Sequence, residues 1–238
     1  MMDWLFKSGS ETRLVKRYQR LRQIGRQLNN ETLPRYLPRS AFETCARKLG
    51  LWHRGTLVFD SEDEMGVLMD YCLHDFRPKA GNAVQQYAAE ANPDPGSDEY
   101  AVLKAMLESF YTVVQVKRVV PGVGIGVADL WAPGCEYLLV DIGFSGSARE
   151  GWMLATRILP FAGFVTTSGT GLPVDAGTLK EIQRTILPRH RTDKDGRCQL
   201  HGGRQKAADL AAGIIRLCLS RHAMKRIRYV DAPRPPGG

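Results

Sequence analysis

Apolar residues in the first part of the chain recur at helical spacing. Leu14, Tyr18, Leu21, Gly25 and Leu28 lie three or four apart, with Val15 and Ile24 beside them. This is one apolar stripe of an amphipathic helix. Ser8 and Glu11 have the spacing of a capping box at its start. Pro34 and Pro38 then turn the chain. A second helix is predicted over 40–50, ending at Gly50. A third opens in the acidic run 60–64 and continues through Met65, Leu68, Met69 and Cys72. Acids suit a helix start, where unpaired N–H groups favour negative charge. Helix continues over 82–91. The run Asn92-Pro93-Asp94-Pro95-Gly96 breaks it, and a further helix is predicted over 97–110.

The period then changes from helical to alternating. Residues 110–116 are β-branched and aromatic and read as strand. Strands follow over 123–130, 137–142, 152–159 and 164–167, with a Gly/Ser loop over 143–151. Short strands, tight turns and interior glycines such as Gly124 and Gly126 predict a small closed barrel. It is either oligonucleotide-binding-like (OB-like) or SH3-like. Residues 175–187 and 207–224 read as helices on either side of a polar, basic loop over 188–203. The fold class is α+β: an N-terminal helical region, a central five-stranded barrel and C-terminal helices. The segments are 1–96 (helical), 97–171 (a helix and the barrel), 172–232 (helical) and a tail, 233–238, that reads as disordered.

The barrel residues carry a resemblance. Val119-x-Pro121-Gly122-x-Gly124-Ile125-x-Val127-x-Asp129-Leu130 is followed by Leu139-Val140-Asp141 and Ser145. Then come Leu154-Ala155-x-Arg157-Ile158-Leu159-Pro160 and Ser168-Gly169. This resembles the small β domain of uncharacterised bacterial proteins that often also carry a SEC-C zinc motif. The zinc motif itself is absent here. The resemblance brings no catalytic residue with it.

Charge is segregated along the chain. Residues 1–60 hold twelve bases and five acids, net +7; residues 61–110 hold three and ten, net −7. Residues 111–170 are balanced at four and four. Residues 171–238 hold fourteen and six, net +8, which is also the net charge of the whole chain. Basic ends of this kind point to nucleic acid or to an acidic protein partner. They can equally fold against the acidic segment. Three basic bands stand out. The first is Arg13, Lys16, Arg17, Arg20, Arg22 and Arg26. The second runs through Arg189, Arg191, Lys194, Arg197, Arg204 and Lys206. The third is Arg221, Lys225, Arg226 and Arg228. Arginine predominates, which suits bidentate contact with phosphate. Trp131, Tyr137, Trp152 and Phe164 on the barrel are possible stacking platforms for bases.

Other chemistry is thinner. Cys198-x2-His201 and Cys218-x3-His222 together make a possible structural zinc site, the second pair one turn apart on a helix face. No other cofactor is expected. His74 beside Asp70 and Asp75 reads as a surface histidine at a helix end. Asp129 and Asp141 are the acids a metal-dependent nuclease would use. Gly122-x-Gly124-x-Gly126 lacks the spacing and the following helix of a dinucleotide site. Gly143-Phe144-Ser145-Gly146 falls short of a nucleophile elbow. The five cysteines are odd in number and widely spaced, which fits a reducing cytoplasm. No apolar run is long enough to span a membrane. The expected function is a non-catalytic module that binds nucleic acid or a ribonucleoprotein. A protein–protein adaptor or regulatory subunit is the first alternative, and a metal-dependent nuclease the second.

Overall fold

The computed structural model describes residues 8–189 and 204–223. Helix α1 spans Ser8–Gln27, then loosens into a π turn over Leu28–Thr32 and a 3-10 turn over Leu33–Tyr36. Helix α2 spans Ser40–Leu49 and stops at Gly50, whose φ of +82° only glycine adopts without strain. A two-residue hairpin that the periodicity does not show follows: β1, Trp52–His53, and β2, Thr56–Leu57. Its turn, Arg54-Gly55, has positive φ at both residues, which suits the twist of a tight hairpin. Helix α3, Glu62–His74, carries three of the four acids of its run in its first turn. Helix α4, Ala83–Ala91, starts in a reciprocal capping box between Asn82 and Gln85. Helix α5 is Asp98–Leu107, capped by Ser97.

The barrel strands are β3 (Phe110–Val120), β4 (Gly124–Asp129), β5 (Glu136–Val140), β6 (Met153–Phe161) and β7 (Phe164–Val174). Their order, β3-β4-β5-β7-β6, closes back on β3, which pairs with both β4 and β6. All pairings are antiparallel except β5 with β7, which is parallel. An SH3-like barrel has no such parallel pair. This order, with a helix between the third and fourth strands, is the OB-like arrangement.

That helix is α6, Ile142–Ser147, in the stretch expected to be a Gly/Ser loop. Asp141 makes the difference: its carboxylate accepts the Phe144 N–H at 2.9 Å and caps the first turn. Strand β7 also runs seven residues beyond the expected 164–167. Gly169, at φ +116°, takes up the irregularity opposite Arg157 and lets pairing resume at Gly171. Helix α7 is Ala176–Thr185 and α8 is Arg204–Ser220, four residues short of the expected end. Residues 190–203 and the tail 233–238 lie outside the described residues.

Three cores hold the chain together. Val114, Val116, Ile125, Val127, Leu139, Ile158 and Val165 fill the barrel, with Phe144 and Ala148 plugging one end. Tyr111, Val113, Ala155, Leu172 and Val174 face outward and meet α2, α3 and α8. Leu138, Val140, Leu159 and Phe164 face outward elsewhere and meet α1, α4 and α5. Helices therefore wrap the barrel on two sides. A Cβ on Gly124 would fall 2.1 Å from the Leu139 carbonyl oxygen, so the β4–β5 approach admits only glycine there. Among the described residues no helix is long and apolar enough to cross a membrane.

Candidate nucleic-acid interface

Helix α1 lies on the second outer core through Tyr18 and Leu21, and the π turn that follows adds Leu28. Its arginines divide by their distance from that buried stripe. Arg17 lies over the Phe164 ring at 5.7 Å and donates to the Ala162 carbonyl at 3.3 Å. Arg22 donates to the Thr167 carbonyl at 3.1 Å, while its Nε is buried without an acceptor. Arg20 pairs with Asp98 at 3.0 Å across to α5. One exposed pair of this kind contributes little, but it does turn one base of the N-terminal band toward the acidic segment. Arg13, Lys16 and Arg26 are exposed on the same helix.

Tyr18, Gln19, Arg22, Gln23 and Arg26 line a cleft of about 510 Å³ whose other wall is Asp141, Ile142 and Gly143. Burial and the nearby Asp141 carboxylate push the Tyr18 hydroxyl above its ordinary pKa, so it stays protonated at neutral pH. The cleft combines two guanidinium groups, two amides, a phenol and one carboxylate. That is a donor-rich surface suited to an anion bearing hydroxyl groups.

The other bands are less visible. Arg191, Lys194, Arg197, Lys225, Arg226 and Arg228 lie outside the described residues. Arg189 ends a 3-10 turn over Leu187–Arg189, Arg204 opens α8, and Lys206 is exposed in the next positions. Arg221, just beyond the end of α8, reaches the start of α7 near Gly177 and Glu181. Helix α8 packs on the first outer core and α1 on the second, so the described parts of the bands occupy separate cores. Of the four proposed stacking aromatics, Trp131 and Phe164 are core residues and Tyr137 packs against the barrel interior. Trp152 is 48% exposed.

The structure describes only part of the metal candidates. Cys198 and His201 lie outside the described residues. Cys218 is fully buried in the first outer core. The helix ends at Ser220, and His222 takes a left-handed φ of +54° beyond it. The expected placement of that pair on one helix face is therefore not met. The exposed His222 instead bonds Asp60 at 2.8 Å. Asp129 and Asp141 sit beyond opposite ends of the β4–β5 ladder, which runs from Ala128↔Glu136 to Gly124↔Val140. Six residue steps along the ladder separate them by roughly 20 Å, well beyond the span of one metal ion. Asp129 bonds Thr112 and the Trp131 N–H, and Asp141 caps α6. Among the described residues no group of three or more His, Cys, Asp or Glu side chains could hold a metal.

The most unusual polar cluster is one the sequence reading misplaced. His74 is buried, not at the surface, because the end of α3 is enclosed by the barrel and its neighbouring helices. Arg157, on β6, is 2% exposed. It donates to Asp70 at 3.0 Å and to Asp75, and lies over the Tyr111 ring at 5.8 Å. Burial alone would push both acids up. At Asp70 burial is the largest single effect, but Arg157 and the other neighbouring groups together outweigh it and hold the carboxyl below the usual range, whereas Asp75 stays raised. Burial and Arg157 push the His74 imidazole down to about 3, so it is neutral at pH 7. Its Nδ1 lies 3.4 Å from Ser109 Oγ, which itself donates to the Met106 carbonyl. The cluster is buried and ties α3 to the barrel through the Arg157 ion pairs. Its signal in the sequence is a lone arginine inside the apolar run 152–159.

The model of a family of unknown function (DUF7986) matches residues 12–195. No curated protein and no solved structure matches the chain.

Proposed function

This chain belongs to the DUF7986 family, and we propose that it is a non-catalytic nucleic-acid-binding module. Its ligand runs along the exposed face of α1 and into the cleft beside the OB-like barrel. The observation that carries this reading is the juxtaposition of Arg22 and Arg26 with Gln19, Gln23 and Tyr18 in a cleft of about 510 Å³. Arg13 and Lys16 continue the positive face along the helix. Phosphate binds such a surface by Coulomb attraction and release of counterions. The exposed indole of Trp152 offers a stacking face for a base. The free thiols of Cys45, Cys72, Cys135 and Cys218 suit action in a reducing cytoplasm.

The test is fluorescence anisotropy with a labelled single strand, measured across salt concentrations. Replacing Lys16 and Arg26 with glutamine is expected to weaken binding about tenfold and to lower the log–log salt slope by about 0.7 per residue. Trp152→Ala is expected to weaken binding by about 1–3 kcal/mol with the slope unchanged. Absence of salt-dependent binding by the intact chain overturns the proposal. The adaptor reading has its own observation: Tyr100 and Leu107, 37% and 47% exposed, lie seven residues apart on α5 near Asp98 and Glu99. Stoichiometric capture of one protein after nuclease treatment, without direct binding to the strand, favours it.

A further inference from the structure

We infer that the cleft between α1 and α6 distinguishes RNA from DNA, with Asp141 as the residue that reads the ribose. This rests on the nucleic-acid reading above and names the class of strand that the same site takes. Its starting point is a charge that a simple phosphate site would not contain. The exposed Arg26 suits phosphate, and Arg22, although held on the Thr167 carbonyl, adds positive charge to the same wall, yet the facing wall carries the Asp141 carboxylate. A carboxylate beside a bound phosphate repels it. The repulsion is offset when the ligand offers a hydrogen-bond donor next to its phosphate. A ribonucleotide does so through its 2′-hydroxyl, and a deoxyribonucleotide does not.

The local structure holds Asp141 ready for that role. Its Oδ1 accepts the Phe144 N–H at 2.9 Å, which fixes the carboxylate in one orientation. No second hydrogen bond to this side chain is made among the described residues, and Asp141 is not among the groups with a buried, unpartnered oxygen. The remaining oxygen is thus open to a donor in the cleft. Tyr18 stands beside it as a protonated phenol, and Gln19 and Gln23 add amide donors and acceptors on the α1 wall. Arg26, exposed at the rim, places positive charge where the phosphate linking two sugars would lie. The division of labour is phosphate on the α1 side and sugar on the Asp141 side.

Asp141→Asn separates this role from helix capping, because asparagine caps as well as aspartate and keeps the shape while removing the charge. Anisotropy titrations would compare three strands of one sequence: RNA, DNA and 2′-O-methyl RNA, each with the intact chain and with Asp141→Asn. The intact chain is expected to bind RNA about tenfold tighter than DNA, with the methylated strand behaving like DNA because it has lost the donor. Asp141→Asn is expected to tighten DNA binding by removing the repulsion and to bring the RNA-to-DNA ratio close to one. Circular dichroism of the variant should match the intact chain. Equal affinity of the intact chain for RNA and DNA overturns the inference while leaving nucleic-acid binding in place. So does a ratio that Asp141→Asn leaves unchanged, which would make Asp141 a cap alone. Failure of the intact chain to bind any of the three strands overturns both readings.

Discussion

Arginine meets the barrel in two ways in this molecule. Arg157 does so from within, on β6, with two carboxylates, an aromatic ring and almost no water around it. The arginines of α1 do so from outside. Arg17 and Arg22 touch backbone carbonyls, Arg20 pairs with a half-exposed acid, and Arg26 borders open solvent. The residue type is the same, but the environment decides its role. A buried guanidinium must be fully partnered or it is costly, so Arg157 has a fixed structural position. A surface guanidinium in high dielectric contributes little to stability and remains available to a ligand. Arginine count alone is therefore a poor guide to a binding face; what matters is how many of the arginines have been drawn into the fold.

The largest expected effect comes from the buried side. Arg157→Met leaves Asp70 and Asp75 facing each other without a counter-charge. It should cost about 3–5 kcal/mol, read as a shift of the urea midpoint. Replacing both acids with leucine in the same background should restore much of that loss, because no isolated charge then remains. If Arg157→Met alone proves nearly neutral, the contrast between the two sets of arginines fails.

An intermediate effect is expected with pH. The folded-state pKa of His74, about 3, lies below the ordinary 6.5. Between those values the unfolded chain binds a proton at this residue and the folded chain does not. Its contribution to stability is therefore present above about pH 6.5 and is lost as pH falls toward 3, at up to about 1.4 kcal/mol per pH unit. Asp75 works in the opposite sense: its folded pKa is raised, and its contribution is lost as pH rises out of the carboxylate range. His74→Gln should flatten the stability profile between pH 5 and 6.5, measured by thermal unfolding. An unchanged slope would mean that the imidazole is not kept neutral.

The smallest effect belongs to the surface. Arg20→Gln removes its exposed pair with Asp98 and should change stability by less than about 1 kcal/mol. A larger loss would place α1 among the structural arginines and count against its role as a ligand surface.

Much of the architecture is legible in the sequence, for identifiable reasons. The stripe through Leu14, Tyr18 and Leu21 predicts α1 because burial on one face imposes a 3.6-residue period. The strands are visible because β-branched residues concentrate there. The barrel type is not visible, because the pairing that decides it joins Leu139 to Val165, and local pattern carries no information about partners so far apart. The Gly/Ser composition of α6 hides it, although Asp141 three residues before Phe144 is a capping signal. The basic face of α1 was legible as charge, but its division into drawn-in and exposed arginines was not. That depends on Ala162, Thr167 and Asp98, which come near only in the fold. His74 was misplaced for the same reason: its burial depends on Arg157, 83 residues away in the chain.

The parallel pairing of β5 with β7 also bears on how quickly the molecule can assemble. The meander β3–β4–β5 and the hairpin β6–β7 can each form from neighbours in sequence. The barrel closes only when these two pieces meet edge to edge, with the α6 plug already seated between them. Contacts between distant parts of the chain carry a loop-closure cost before they return any stability, and folding slows accordingly. Closure at Leu139 and Val165 is thus expected to come late, in the millisecond-to-second range typical of β-rich topologies. Until then β5 and β7 each present an open strand edge, the state in which such a chain is most prone to pair with another copy of itself.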